Sequence, residues 1–207
     1  MEDVLDLYAQ PYDPGRPVVC FDEQPVQLVG ETRLPSAVRP GRPARYDYEY
    51  ERKGTANIFV QVEPLAGRRH VTVTERRTKL DFAAQMQQLA DVSYPEAERI
   101  RVVMDNLNTH RPASLYEAYA PAEARRLLRR LEFHYTPKHA SWLNMAEIEL
   151  SVLTGQCLQR RIPDRQTLAE ETAAWEVTRN QEHAPIRWRF TVHDARVKLP
   201  HLYPSQS

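Results

Sequence analysis

The sequence has few cysteines and no long apolar run. Its 207 residues include only Cys20 and Cys157, too few for a disulfide framework and not arranged as CxxC. We therefore expect two buried free thiols, a reducing compartment and no structural zinc. No apolar run approaches the roughly 18 residues of a membrane span, and the first ten residues lack the basic and apolar regions of a signal peptide. These absences predict a soluble, intracellular protein.

A net charge is lacking as well, because 28 basic residues balance 28 acidic ones. This balance argues against a wholly basic, histone-like surface but leaves room for a local basic groove. Lysine is scarce: only four of the basic residues are lysines, and the 24 arginines cluster in runs such as GRRH and RRLLRR. The planar guanidinium suits phosphate oxygens. A GC-rich genome would also raise arginine and proline together, so both explanations stay open.

Apolar and alternating runs predict a sheet. Three of them are separated by the glycine-containing breaks KGT and LAGRR and are typical of an antiparallel meander. Two later runs, RIRVVMDN and EFHYTP, predict further strands. The connector RLPSAVRPGRPARY has too many prolines for regular structure. These three runs are YDYEYERK (46–53), TANIFVQVEP (55–64) and RHVTVTER (69–76), and the earlier apolar run VVCFDE (18–23) predicts a separate buried strand.

Between and after these strands, apolar residues recur at three- and four-residue steps, which predicts helices. With 42% hydrophobic residues, the chain fits one α/β domain in which helices pack over a mixed sheet. The helices are predicted from Lys79 with Thr78 near its start, over 112–130 with Pro121 in an early helical position, over 141–161 with Ser141 as the cap, over 165–181 with Asp164 as the cap, and near the end of the tail, which also contains a short strand-like piece.

Two aspartates stand at the ends of apolar strands. Asp22 closes VVCFD and Asp105 closes RVVMD, and in such sheets sites form at the carboxyl ends of neighbouring strands. Two carboxylates about 4 Å apart repel by roughly 4 kcal/mol at an effective dielectric constant of 20. Burying both therefore needs a cation, and Mg²⁺ prefers such oxygen ligands.

A third carboxylate is expected from the segment NMAEIEL, which carries Glu147 and Glu149. At about 100° per residue these two side chains point about 200° apart on a helix, so only one can face a given crevice. Glu147 shares a stripe with Leu143 and Leu150, and Glu149 shares one with Met145 and Val152. The spacing alone does not choose between them.

Together, VVCFDE, VVMDNLNTH and YTPKHASWLNMAEIELSVL resemble the catalytic domain of DDE transposases of the insertion-sequence-630 and mariner superfamily. The resemblance covers nearly the whole chain. It implies an α/β, ribonuclease H-like fold, a mixed five-stranded sheet with helices on both faces. It also implies three parts: a lead-in over 1–17, the catalytic domain over 18–182, and an extension over 183–207 that packs on the domain.

The same resemblance implies the active site. The third acid of the family follows an L-N-x-x-E pattern, which selects Glu147 here. Asp22, Asp105 and Glu147 would bind Mg²⁺ or Mn²⁺, as two ions. The implied reaction is hydrolysis at the DNA ends of a mobile element, followed by attack of the freed 3′-hydroxyl on target DNA. A homodimer on DNA and a bacterial, nucleoid-associated location in the cytoplasm are implied as well.

Five further residues near these motifs are candidates for DNA binding or for supporting the site. Those that follow the second acid would order water or contact phosphate, or would only form a turn, and both interpretations stay open. Those that precede the third acid would contact the DNA backbone. The first group is Asn106, Asn108 and His110, and the second is Lys138 and His139.

The sequence departs from the superfamily in two ways. Asp105 and Glu147 are 42 positions apart, more than is usual, and we attribute the excess to the helix PAEARRLLRRL. The superfamily also carries helix-turn-helix domains before the first catalytic strand, whereas 17 residues precede Val18 here. We expect a domain fragment, a truncated copy, or half of a split gene with a separate recognition chain. A catalytically silent or domesticated DNA-binding relic, or another ribonuclease H-like nuclease, is the alternative.

Overall fold

The computed structural model describes residues 1–32 and 49–203; the proline-rich connector predicted over 33–46 lies outside them. The described strands form a five-stranded sheet in the order β3-β2-β1-β4-β5. β1, β2 and β3 pair antiparallel, and β4 and β5 run parallel to β1. The mixed five-stranded sheet is therefore confirmed. An antiparallel meander is present, but it consists of β1, β2 and β3, because the end of YDYEYERK and TANIFVQVEP belong to one strand. The strands are β1 (Val18–Glu31), β2 (Tyr50–Glu63), β3 (Arg68–Thr74), β4 (Ile100–Met104) and β5 (Leu131–Tyr135).

The first two strands are longer than their apolar runs. β1 continues past Glu23 to Glu31, and β2 begins at Tyr50. The strand break predicted at KGT is wrong, because β2 runs through Gly54. The pairing register shifts between Gln27 and Val29, opposite that glycine, whose φ is +103°. This is a β-bulge, and glycine supplies the left-handed backbone conformation that it needs.

Seven helices lie in the described part of the chain. Two predicted caps are confirmed: Thr78 forms a capping box with Asp81, and Asp164 accepts a hydrogen bond from the Thr167 amide. The helices are α1 (Glu2–Tyr8), α2 (Lys79–Gln88), α3 (Pro112–Ala118), α4 (Pro121–Leu128), α5 (Ala146–Leu153), α6 (Arg165–Gln181) and α7 (Val192–Lys198).

The helix predicted over 112–130 is two helices. Ala120 has an extended backbone, with φ −56° and ψ 147°, because the proline ring of Pro121 disfavours a helical conformation in the residue before it. In the tail, the predicted final helix is confirmed as α7, whereas the strand-like piece forms no strand.

The start of the helix that carries Glu147 also differs from the prediction. Ser141 does not cap it but opens a short 3₁₀ turn, Ser141–Leu143. Asn144 is extended, and its Oδ1 accepts a hydrogen bond from the Ala146 amide at 3.2 Å, where α5 begins. A π-helical turn, Thr154–Leu158, continues α5 at its far end. Met145, directly before α5, makes no capping bond with its side chain, and Asn144 supplies the side-chain hydrogen bond at the start of the helix.

Two apolar cores cover the two faces of the sheet. Val19 and Phe21 pack with α2, α3 and α4, whereas Cys20 and Val103 pack with α1, α5, α6 and α7. Successive residues of a strand point to opposite faces, so Asp22 continues the face of Cys20, the one that α5 covers. Cys20 and Cys157 are buried and free, as expected. Helices on both faces are confirmed.

The segments on either side of the predicted catalytic domain join one of these cores. α1 buries Val4, Leu5 and Leu7 there, and α7 buries Ala195. The predicted boundaries at residues 17 and 182 stay predictions. Among the described helices, none is both long enough and apolar enough to cross a membrane.

Candidate active site

β1 and β4 bring the two aspartates side by side. They pair in parallel, with Val18 opposite Arg101 and Cys20 opposite Val103. Continued by two residues, this register places Asp22 level with Asp105, which directly follows β4. Both residues continue the sheet face that α5 covers. The two carboxylates therefore lie at the carboxyl end of β4, where sites form in sheets of this kind.

Glu147 reaches the same region from the first turn of α5. Asp22 and Glu147 line one open cavity of about 1010 Å³, whose wall continues past Ser151 to Gly155. A carboxylate in the first turn of a helix is stabilised by the unpaired backbone N–H groups there. The structure thus brings together the strand-borne and helix-borne acids that the sequence predicted.

The pKa of Asp22 depends on its burial and on the charges of its neighbours. Burial raises the pKa of Asp22, and the negative charges of Glu23, Asp105 and Glu147 raise it further, to about 7. A hydrogen bond from the Glu23 amide to Oδ1, 2.8 Å long, acts in the other direction but does not offset them. The site therefore concentrates negative charge that a cation would relieve.

Asn144 links the first acid to the helix of the third. Its buried Nδ2 donates to the Phe21 carbonyl at 2.9 Å and to Asp22 Oδ2 at 3.3 Å. Its Oδ1 accepts from Ala146 at the start of α5. One side chain therefore fixes the start of α5 on β1. Sequence analysis did not select Asn144, although it is the asparagine of the L-N-x-x-E pattern.

His110 bridges Asp105 to a buried acid. Its Nδ1 lies 2.5 Å from Asp105 Oδ1, and its Nε2 lies 3.0 Å from Glu23 Oε2. Burial opposes the charged imidazolium, but the two carboxylates outweigh it and raise the pKa of His110 to about 9. Of the two roles left open for His110, these contacts favour supporting the site over forming a turn. Glu23 was not predicted, although it directly follows Asp22.

The other predicted residues are exposed. Asn106 and Asn108 lie in the turn after Asp105, and Lys138 and His139 lie in the loop before α5. His139 adopts a left-handed backbone with φ 64°, a conformation that costs energy for a residue with a side chain. Within the described part of the chain, none of the four contacts the three acids through a hydrogen bond or ion pair, and their roles stay predictions.

Comparison with known families identifies the chain. Residues 17–169 match the family described as DDE superfamily endonuclease. The chain belongs to this family. The predicted family is thus confirmed, and the match includes both strand-end aspartates and α5.

Solved structures support the fold of this DDE endonuclease domain. Three Mos1 structures are similar to this chain, and each comparison covers 88% of it. The mariner paired end complex with Mn has 18% sequence identity and a TM-score of 0.56, and the complex with Mg has 19% and 0.59. The strand transfer complex has 16% identity and a TM-score of 0.59. At these identities the likeness establishes the ribonuclease H-like fold alone. The chain spans about half the length of these structures, 53–54%. No curated protein matches it.

The donor chemistry of the DDE site suits a hard divalent cation. Among the described residues, no three His, Cys, Asp or Glu side chains lie close enough together to hold a metal ion. The three acids nonetheless supply oxygen ligands only, which Mg²⁺ and Mn²⁺ favour. Burial and the neighbouring negative charges both raise the pKa of Asp22, and a bound cation would offset both effects. The residues present therefore fit a divalent metal.

Glu149 is the acid that faces away from this site. It is fully buried, and its Oε1 lies 2.7 Å from Arg69 Nη2 and 3.2 Å from Arg179 Nη2. Arg69 belongs to β3 and Arg179 to α6, so the ion pairs fix α5 to both. Hydrogen bonds from the two guanidinium groups keep the pKa of Glu149 below its usual value although burial opposes this. Glu149 is therefore a buried, salt-bridged structural residue.

We predict that Glu149→Gln destabilises the fold. The change leaves the fully buried Arg69 without its counter-charge, and breaking a buried pair in this way costs about 3 kcal/mol. Urea denaturation measures the free energy of unfolding. Glu147→Gln is the matched control, because it makes the same change two residues away without breaking an ion pair. Equal effects of the two substitutions would contradict the assignment.

A second prediction concerns pH. The pKa of Asp22 is raised in the folded protein, so the native state binds more protons, and stability falls as pH rises from about 4 to about 7. Without divalent ions, Asp22→Asn should therefore have a higher free energy of unfolding than the wild type at pH 8, by up to about 4 kcal/mol, with no advantage at pH 4.

Asp194→Asn provides the control for this pH series. Hydrogen bonds from Lys198 and Thr191 lower the pKa of Asp194, so this variant should lose stability at neutral pH. Denaturation curves across pH 4–8 compare the two. An Asp22→Asn variant with the pH profile of the wild type would refute the raised pKa of Asp22.

Proposed function

We propose that this chain is the catalytic domain of a DNA transposase, which cleaves the ends of a mobile element and transfers the freed 3′-hydroxyl to target DNA. The observation that carries the proposal is the placement of Asp22 level with Asp105 on neighbouring parallel strands, with Glu147 lining the same cavity as Asp22. In a DDE endonuclease, carboxylates that lie close together at the carboxyl ends of neighbouring strands are suited to hold the cations on which phosphoryl transfer depends.

In this proposal Asp22, Asp105 and Glu147 hold Mg²⁺ or Mn²⁺, as two ions. When bound, such ions activate the attacking hydroxyl and stabilise the leaving oxygen. The protein's own part is placement: Asn144 orients Asp22 against α5. His110 orients Asp105 through its protonated ring. No covalent intermediate with the protein is required.

DNA is the proposed partner. The similar structures are described as Mos1 complexes with a transposon end and as a strand transfer complex. In this chain, Arg111 and Lys138 are exposed on the loops that flank the acids and would contact backbone phosphates. The proposal extends to Asn106, Asn108 and His139 in the same loops. It also includes a homodimer on DNA and a separate helix-turn-helix chain as a recognition partner.

The cavity wall beyond Glu147 suggests where the DNA strand runs. Gly155 lies in the π-helical turn that continues α5, and π turns are frequent at functional sites. An added Cβ at Gly155 would meet no other described atom within 4 Å, so packing does not require glycine there. Glycine in a helix costs about 1 kcal/mol relative to alanine. In this proposal a DNA strand passes close to the backbone at Gly155, where a larger side chain would block it.

We therefore predict that Gly155→Leu weakens DNA binding about tenfold while leaving the free energy of unfolding equal or slightly higher. Fluorescence anisotropy with labelled DNA, in Ca²⁺ to prevent cleavage, measures the affinity. Ala173→Leu, at an exposed position of α6, is the control and should bind DNA normally. Unchanged affinity of Gly155→Leu would show that the strand does not pass over this turn.

The central prediction concerns cleavage. Asp105→Asn and Glu147→Gln should each reduce Mg²⁺- or Mn²⁺-dependent nicking and strand transfer on DNA with pre-cut ends at least ~100-fold, because each removes a proposed metal ligand. Glu170→Gln, on the exposed face of α6, should retain full activity. If the nicking and strand-transfer activity of the wild type is no higher than that of the two site variants, the enzyme proposal is refuted.

Two alternatives predict other outcomes of the same experiment. DNA retention that falls steeply with salt, without cleavage, would favour a catalytically silent or domesticated DNA-binding relic. Cleavage of branched DNA in preference to element ends would favour another ribonuclease H-like nuclease. The L-N-x-x-E segment around Asn144 and Glu147, and the family match, favour the transposase over both.

A further inference from the structure

Four aromatic side chains connect the turn before Glu147 to segments far away in sequence. Trp142 belongs to the 3₁₀ turn, Tyr8 to α1, and Trp188 and Phe190 to the stretch between α6 and α7. Trp188 stacks on Trp142, with ring centroids 6.1 Å apart and planes 20° apart, and lies 5.4 Å from the ring of Tyr8. Phe190 meets Trp142 edge-on at 5.5 Å. We call these four residues the aromatic brace.

The brace is joined to the polypeptide next to the site. The Tyr8 hydroxyl donates a hydrogen bond to the Leu143 carbonyl at 2.7 Å. Leu143 directly precedes Asn144, the side chain that bonds to Asp22 and to the start of α5. Both Leu143 and Asn144 are buried. A continuous chain of contacts therefore runs from α1 to the first acid and to the helix of the third.

Polar contacts also join α7 to α1 and to the outer side of the brace. Arg196 of α7 forms two hydrogen bonds to the Glu2 carboxylate in α1, at 2.7 and 2.8 Å. Lys198 lies over the ring of Phe190, 5.7 Å from its centroid. These contacts are exposed, and exposed ion pairs contribute little. Aromatic packing, which buries large apolar surfaces, is therefore the main link.

Besides the brace, the turn is held by the side chains of Ala140 and Leu143, which are buried in the core beside α5, and by the bonds from Asn144 to β1. Its own backbone bonds are local, from Ala140 to Pro137, from Leu143 to Ala140 and from Asn144 to Ser141. Local bonds shape a turn but do not hold it against the sheet. Three members of the brace, Tyr8, Trp188 and Phe190, lie outside residues 17–169 that match the family, so the brace is an addition to the matched unit.

We propose that the aromatic brace positions Asn144 and Glu147 relative to Asp22. Tyr8, Trp142 and Trp188 act as positioning residues and touch neither DNA nor metal. The consequence for catalysis rests on the proposed function. The consequence for the turn does not, because it follows from the contacts alone.

The test uses two variants of different severity in the full chain. Tyr8→Phe keeps the ring and removes the contacts of the hydroxyl with the Leu143 carbonyl and with Cys20 Sγ of β1. Trp188→Ala removes the stacking partner of Trp142. Hydrogen exchange followed by mass spectrometry should become about tenfold faster in peptides covering 140–147, with β4 unchanged in both variants and β1 unchanged in Trp188→Ala. Trp188→Phe should restore most of the protection. Tyr12→Phe, at an exposed tyrosine outside the brace, is the control.

A second readout addresses the site. Mn²⁺ binding to the DNA-free protein, followed by electron paramagnetic resonance, should weaken about tenfold in Trp188→Ala. In cleavage assays kcat should fall about tenfold while KM for DNA stays constant, because positioning acts on the reacting groups.

Each outcome decides one point. Unchanged exchange over 140–147, or exchange that rises equally throughout the sheet, would overturn the brace. Faster exchange over 140–147 with unchanged Mn²⁺ binding and unchanged kcat would overturn its role in positioning the acids. A wild type without metal-dependent cleavage would refute the proposed function, and the exchange experiment would still test the brace.

Discussion

Two aspartates on adjacent parallel strands repel each other, and the fold has to hold them together against that repulsion. The register of β1 with β4 places Asp22 level with Asp105, and the pKa of Asp22 rises to about 7 because of burial and neighbouring negative charge. Neutral and positive partners counter part of this charge: Asn144 donates to Asp22, and the imidazolium of His110 lies between Asp105 and Glu23. The remaining negative charge is what the proposed divalent cation would neutralise.

The two glutamates of α5 have different surroundings, and these determine how the helix is rotated about its axis. Glu149 points into the core, where Arg69 and Arg179 neutralise it. Glu147, about 200° away around the helix, then faces the cavity beside Asp22. A buried ion pair adds little net stability compared with apolar packing, but it specifies one arrangement, because any rotation of α5 would leave buried charges unpaired. In this protein the ion pairs fix which carboxylate is available to the site.

The strands and most helices could be predicted from the sequence, because apolar runs and caps such as Asp164 are local signals. Two failures had local causes: β2 continues through Gly54, and the helix predicted over 112–130 is divided before Pro121. Other failures depended on distant partners. Ser141 was predicted to cap α5, but the segment before the helix is held by the bonds from Asn144 to β1. Spacing could not choose between Glu147 and Glu149, because the choice depends on Arg69, 80 positions away. The family resemblance selected Glu147 without that physical reason.

The central claim is that the three acids bind divalent metal ions. Anomalous diffraction from crystals of the chain soaked in Mn²⁺ tests it most directly, since it locates the metal independently of any activity. The account predicts anomalous peaks bounded by the carboxylates of Asp22, Asp105 and Glu147, with none at Glu149. Full Mn²⁺ occupancy elsewhere, with no peak among the three acids, would contradict it.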